Sequence, residues 1–227
     1  MSEHWIERVG QYSVNMDTLT TMWIAMLLLI VFAFLATRKL SIFPSKIQAI
    51  AESIIGGFAS LTDSMIGKSG RQHLPLLATL FLFILTANLL GQIPWRIYQL
   101  KAGELASPTN DINMTAAMAI LVLVYYVYHG IKVKGYKFFI HEFSVTGIIM
   151  AIVDLLELVV RPFSLALRLF ANILAGELLV FTFVGMCAYF APLPFMFFEV
   201  FVAFIQALVF TLLSTAYIAM ATQTEEH

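Results

Sequence analysis

Long apolar runs are the feature that most constrains the fold of this chain. Several extend for about 20 residues, the length that a helix needs to cross a bilayer. Charged residues make up 12% of the sequence and hydrophobic residues 60%, against about 25% and 45–50% in ordinary soluble domains. The 13 Lys and Arg residues are offset by 14 Asp and Glu residues, which excludes a basic nucleic-acid-binding surface. We therefore predict an all-α polytopic membrane protein.

The apolar runs predict about five transmembrane crossings. The predicted spans are residues 18–37, 73–93 and 112–129, followed by a helical hairpin at 143–220. Within this last region, the stretch from Phe143 to Tyr189 contains only Pro162 as a clear helix breaker. A straight helix of that length would measure about 70 Å, against a hydrocarbon core of about 30 Å. We therefore expect the hairpin to be strongly tilted, bent near Pro162, or both.

The remaining segments are more polar than the spans. Residues 42–68 place apolar side chains at helical spacing between polar ones, which is typical of an amphipathic helix on the membrane surface. Polar residues occupy 1–17 before the first span and 221–227 after the last. No internal repeat or low-complexity linker divides residues 1–227, so we expect a single membrane domain.

The basic residues predict the orientation of the chain. Five crossings place the termini on opposite sides, and the positive-inside rule favours an outer N-terminus and a cytoplasmic C-terminal tail. In that orientation the inner basic residues are Arg38, Lys39, Lys46, Lys68, Arg71, Lys132, Lys134 and Lys137, and the outer ones are Arg8, Arg96 and Lys101. Only Arg161 and Arg168 are left, and both lie inside an apolar segment.

Both arginines belong to a polar stripe on one predicted helix. Its members recur every three or four residues and therefore share one face: Asp154, Glu157, Arg161, Ser164, Arg168 and Asn172. An arginine at mid-bilayer costs about 2.5–3.5 kcal/mol on insertion scales, and such residues mark ion pathways by default. Ion pairs that hold the helix to a neighbour are an equally good explanation for Asp154, Glu157 and Arg161. They explain Arg168 poorly, because no acid lies within four residues of it.

Two more carboxyl groups lie in the hairpin. Glu177 is half a turn away from the face of Arg168, and Glu199 shares a face of the last helix with Gln206. Packing of the hairpin could bring Glu177 and Glu199 to one level, with Gln206 deeper, toward Arg168. The sequence thus predicts an outer and a cytoplasmic acidic patch separated by a fixed positive charge.

The other chemistry-bearing residues predict no metal site and no cofactor. The single Cys187 excludes an intrachain disulfide and a cysteine-based metal centre, and the five histidines lack metal-ligand spacing. Asp111 precedes the third span, where it could line an entrance or cap its helix. We favour the cap.

Four motifs resemble subunit a of rotary F-type ATP synthases. The most specific is RPFSLALRLFANILAGEL at residues 161–178, in which LRLFxN precedes AGEL. NLLGQIP from Asn88, PTNDINMT from Pro108 and FIQALVF from Phe204 also resemble segments of that family. The resemblance extends from about residue 30 to the end of the chain.

The resemblance implies a role for each matching residue. Arg168 matches the essential stator arginine, with Asn172 and Gln206 as polar neighbours. Glu177 matches a carboxylate of the outer half-channel, and Asp154 matches an acid of the cytoplasmic half-channel.

The remaining positions match less strictly. Glu199, assigned with Glu177 to the outer half-channel, falls where some members carry histidine, and Ala171 stands where many have glycine. Glu157 joins the cytoplasmic half-channel. Since Glu177 is replaced by histidine in mitochondrial members, the chain resembles bacterial ones, which implies a bacterial plasma membrane. Further candidates are Asp111, Asn88, Ser164 and Arg161.

The family's mechanism implies the partners. Subunit a lies in the bilayer beside a ring of c subunits, contacts peripheral-stalk subunit b, and is joined to the catalytic head only through the stalks. It conducts H⁺ or Na⁺ through two offset half-channels and contains no centre for ATP chemistry.

Two functions of other classes remain open from the sequence. A secondary transporter or antiporter could use the arginine–glutamate stripe as its coupling site, although inverted repeats are not evident. A non-transporting membrane scaffold could use the same charges only to hold its helices together.

Overall fold

The computed structural model describes residues 6–9, 12–92, 107–135, 145–186 and 192–222. Most of these residues are helical. The helices are α1 (Met16–Thr37), α2 (Lys46–Met65), α3 (Leu74–Gly91), α4 (Ile112–Lys134), α5 (Val145–Met186) and α6 (Pro192–Thr222). Short 3-10 turns at Lys68–His73 and Pro108–Asn110 precede α3 and α4.

The helix lengths confirm the all-α polytopic fold class. Five segments are long and apolar enough to cross a membrane: Met16–Thr37, Ser69–Gly91, Ile112–Lys134, Leu156–Gly176 and Pro194–Thr222. They correspond to the predicted spans. The surface location of α2 and the single-domain organisation stay predictions.

A short β-hairpin was missed by our sequence analysis. Strand β1 (Ile6–Val9) pairs antiparallel with β2 (Tyr12–Asn15), which leads directly into α1. The chain places Gly10-Gln11 between them, and a two-residue connection beginning with glycine is a known hairpin signal. Residues 6–9 and 12–15 of the polar N-terminal segment thus form regular structure before the first span.

The helices pack into one bundle around α4 and α6. Helix α4 contacts both α5 and α6, α3 contacts α6 and α1, and α2 lies against α1 and α3. Fully buried side chains from different helices meet in its core, among them Ile84, Val122, Leu169 and Phe210. The outer sides of α1 and α5 stay apolar and exposed, as expected of helices that face lipid or another subunit.

The connection between α1 and α2 is held by one buried amide. Gln48 donates from Nε2 to the carbonyl oxygen of Ser41 at 3.1 Å and to Glu52 Oε1 at 2.8 Å. Ser45 caps α2 by accepting from the backbone N–H of Gln48. These bonds fix the position of α2 just after the first span.

Helix α5 continues through Pro162 without interruption. Its 42 residues correspond to about 63 Å of helix, twice the hydrocarbon core. Because α5 is longer than the hydrocarbon core is thick, we still expect the hairpin to be tilted in the bilayer.

Some predictions fall on residues outside the described ranges. They concern the outer loop with Arg96 and Lys101, the inner Lys137, Cys187, and most of the tail at 221–227.

Candidate functional site

Helix α5 has two faces with different surroundings. Leu165, Leu169 and Ile173 are buried against the rest of the bundle. Phe163, which is 63% exposed, and Arg168 lie on the side of α5 that faces away from the bundle. Among the residues that the structure describes, Arg168 has no ion pair or hydrogen bond. A permanent positive charge thus lies on a largely apolar surface that the described residues leave uncovered.

The second arginine of the stripe has partners. Arg161 forms an ion pair with Glu157 one turn earlier on α5, and its guanidinium carbon lies 5.2 Å from the ring centroid of Tyr217 on α6. The structure thus shows an ion pair between Glu157 and Arg161, but this pair lies within α5 and joins no second helix, so the two explanations of the stripe stay open. The two arginines, seven residues apart, differ because among the described side chains only Arg161 of the two has an ion-pair partner.

The carboxyl group of Glu199 packs directly on α5. A Cβ atom added at Gly176 would lie 2.7 Å from Glu199 Oε1, so only glycine leaves room for this approach. The side chain of Gln92, at the end of α3, interacts with the same carboxyl group. Glu199 therefore lies beside Gly176, the residue that precedes Glu177, and the proximity of the two carboxyl groups stays a prediction.

Gln206 is buried between the helices. It is 7% exposed, and its Nε2 donates no hydrogen bond to any described group. No hydrogen bond joins it to Arg168 or Asn172 in the part of the chain that is described, so their predicted proximity stays a prediction. An unpaired buried amide of this kind is typically satisfied by water or by a partner.

A buried polar network connects α3 with α6. Asn88 is fully buried; its Oδ1 accepts from Thr109 Oγ1 at 2.8 Å, and its Nδ2 donates to the carbonyl oxygen of Ala203 at 3.4 Å. Ser107 continues the network, with its Oγ 2.8 Å from Thr109 Oγ1. Asn88 thus connects α3 to α6, and both polar atoms of its side chain form hydrogen bonds.

The cap interpretation of Asp111 is confirmed. Its Oδ1 accepts from the backbone N–H of Asn113 at 2.8 Å at the start of α4. Its Oδ2 accepts from Asn15 Nδ2, also at 2.8 Å, which ties the end of the β-hairpin to α4. Both carboxylate oxygens are thus used in holding the fold together.

For two further residues of the predicted site, the structure gives only the position of the backbone. Asp154 and Glu177 lie on α5, but their side chains are outside the described part of the structure. Ser164 is exposed on the same side of α5 as Arg168.

Three residues near the site were missed from the sequence: Gln92, Tyr126 and Tyr217. Gln92 stands in the NLLGQIP motif, and the two tyrosines lie in apolar runs that contain other polar side chains, so nothing in the sequence singles them out. Their partners lie on other helices, so the contacts depend on how the bundle packs.

Comparison with known proteins gives the family. A family profile described as the ATP synthase A chain matches residues 19–219. The ATP synthase subunit a of Gloeobacter violaceus is 42% identical over 228 residues, an alignment that covers 100% of this chain and 91% of that relative. Both matches include the arginine helix α5 and the whole bundle around it, and they show that the chain belongs to the ATP synthase A chain family.

Proposed function

We propose that this chain is the ion-conducting stator subunit of an F-type ATP synthase in a bacterial plasma membrane. Two offset half-channels lead to Arg168 from opposite sides, and this arginine separates them. Ion flow through the half-channels turns a neighbouring ring of c subunits, and that rotation drives ATP synthesis in the catalytic head.

The observation that carries this proposal is the surface position of Arg168. A charged side chain that faced only lipid would cost several kcal/mol of free energy, so such residues face protein or water instead. Arg168 is exposed amid apolar side chains such as Phe163 and Leu167. The partner that fits this surface is an apolar helix ring that presents one carboxyl group at a time.

Arginine suits the separating role for chemical reasons. Its guanidinium does not deprotonate in proteins, so it does not relay protons, whereas a buried lysine can lose its charge. It attracts each ionised ring carboxylate and stabilises its charged form, which favours release of the bound ion there. It also repels any cation that would pass directly between the half-channels.

The ion route follows from the carboxyl groups on the two sides. An ion enters past Glu177 and Glu199, with Asn172 and Gln206 as polar neighbours, and loads a ring carboxylate. After nearly a full turn through lipid it leaves past Asp154 and Glu157. One elementary charge that crosses 100 mV releases about 2.3 kcal/mol, so several ions are needed for each ATP.

Co-purification tests the functional class. A complex isolated through a tag on this chain should contain the c-ring, peripheral-stalk subunit b and the catalytic head. A secondary transporter would be isolated without them and would still move ions in vesicles. A scaffold could be isolated with partners but would leave ion-driven ATP synthesis intact when its charges are replaced.

Paired substitutions test the outer half-channel. If Glu177 and Glu199 share one path, the double variant Glu177→Gln, Glu199→Gln should lower ATP synthesis more than either single variant, because no carboxyl group remains to exchange the ion. The measurement is synthesis by intact complexes in vesicles at varied outer ion concentration. Unchanged synthesis in the double variant would contradict the assignment.

A further inference from the structure

Tyr126 on α4 has a hydroxyl group that the packing of the bundle does not explain. Its side chain is 2% exposed, and the hydroxyl has no hydrogen-bond partner within the described ranges. Buried polar groups of native proteins are nearly always paired, and ordered water supplies the partner where protein does not. The hydroxyl therefore indicates a bound water molecule.

Polar and charged side chains lie near the Tyr126 ring. The rings of Tyr126 and Tyr217 have centroids 6.2 Å apart, and the guanidinium of Arg161 lies over the Tyr217 ring. Arg161 in turn forms an ion pair with Glu157. Three helices, α4, α5 and α6, thus bring together two tyrosine rings and one ion pair, and we call these four residues the tyrosine cluster.

The tyrosine cluster lies to one side of Arg168 along α5. Arg161 precedes Arg168 by two helical turns, about 10 Å. On α4, Tyr126 lies about 12 Å before the end of the helix at Lys134, which the basic residues predict to be cytoplasmic. In the predicted orientation the tyrosine cluster therefore belongs to the cytoplasmic half, next to Glu157.

We propose that the Tyr126 hydroxyl positions an ordered water molecule on the cytoplasmic ion path, beside the Glu157–Arg161 pair. The inference rests on the proposed function, since it adds a residue to one of the half-channels. The hydroxyl keeps its own proton. The water accepts a hydrogen bond from it. If H⁺ is the ion, the water relays it between Glu157 and the cytoplasm by taking up one proton as it gives up another; if Na⁺ is the ion, the water oxygen coordinates it. Tyr126 is therefore a positioning residue.

Removal of the hydroxyl tests this role. Tyr126→Phe keeps the ring and should lower ATP-driven ion uptake into inverted vesicles by about fivefold, the rate equivalent of one lost hydrogen bond. Tyr125→Phe is the matched control. It removes a neighbouring hydroxyl that instead bonds the ring of His73 at 3.0 Å, and it should leave uptake unchanged.

The side of the membrane gives a readout that a structural role would not change. Because loading from the cytoplasm becomes limiting, a higher ion concentration on the cytoplasmic face should restore uptake by Tyr126→Phe. A higher concentration on the other face should not. A defect that is equal at all cytoplasmic concentrations would overturn the proposal.

Water access is tested by cysteine chemistry in the intact complex. In a Cys187→Ser parent, Tyr126→Cys should make ion uptake sensitive to Ag⁺ added to the cytoplasmic face. Val122→Cys is the control, since Val122 lies one turn away on α4 and is equally buried. It should be as resistant as the parent.

Two further results would overturn the inference: wild-type uptake by Tyr126→Phe, or equal Ag⁺ resistance of the two cysteine variants. If the proposed function itself were wrong, the Arg168→Ala variant would also retain ion-driven ATP synthesis. That result distinguishes failure of the proposed function from failure of this inference.

Discussion

At the residue scale, two arginines of one helix have different environments. Arg161 is held by Glu157 and Tyr217, whereas Arg168 faces outward from α5. The sequence predicted this difference, because an acid lies one turn before Arg161 and none lies near Arg168. It did not predict Tyr217, whose contact with Arg161 depends on the packing of α6.

The close approach of Glu199 to Gly176 gives a prediction at this scale. Gly176→Ala places a Cβ atom against the carboxyl group and should displace this flexible side chain without unfolding α5. Misplacement of a reacting group by about 1 Å can reduce activity by about 100-fold, so we expect at least a tenfold loss of ATP synthesis. Gly56→Ala on α2 is the control, because its Cβ would contact nothing within 4 Å. Equal activity of the two variants would show that the position of Glu199 is unimportant.

At the element scale, the helices were predicted well and their contacts were not. The predicted spans at 18–37 and 73–93 agree closely with α1 at Met16–Thr37 and α3 at Leu74–Gly91. The agreement follows because a helix needs about 20 apolar residues to cross a bilayer, and such runs are visible in the sequence. The β-hairpin was missed because four-residue strands carry a weak pattern. The interaction of Gln92 with Glu199 was missed because it joins helices that are distant in the sequence.

One contact between helix ends gives the prediction at this scale. Lys134, at the end of α4, donates from Nζ to the carbonyl oxygen of Met220 in the last turn of α6 at 3.0 Å. It thereby satisfies a helix-terminal carbonyl group. Lys134→Met should lower the free energy of unfolding by about 1 kcal/mol. Lys132→Met removes an equal charge from the same helix turn and should cost less. Thermal denaturation in detergent compares them, and equal losses would contradict the role of this bond.

At the scale of the whole molecule, the five candidate spans among the described residues predict termini on opposite sides of the membrane. The basic residues favour a cytoplasmic C-terminus. A fluorescent protein fused there should therefore fluoresce, and alkaline phosphatase fused at the same point should be inactive. The reverse result would invert the two half-channels and would place Tyr126 on the outer path.

The central claim is that Arg168 keeps the two half-channels apart, and its removal tests this most directly. ATP synthesis driven by an imposed ion gradient would be measured in vesicles with the assembled Arg168→Ala complex. Because the variant lacks the charge that receives ring carboxylates and repels free cations, we predict no ATP synthesis, while ATP hydrolysis by the catalytic head continues. ATP synthesis at the wild-type rate would contradict the account.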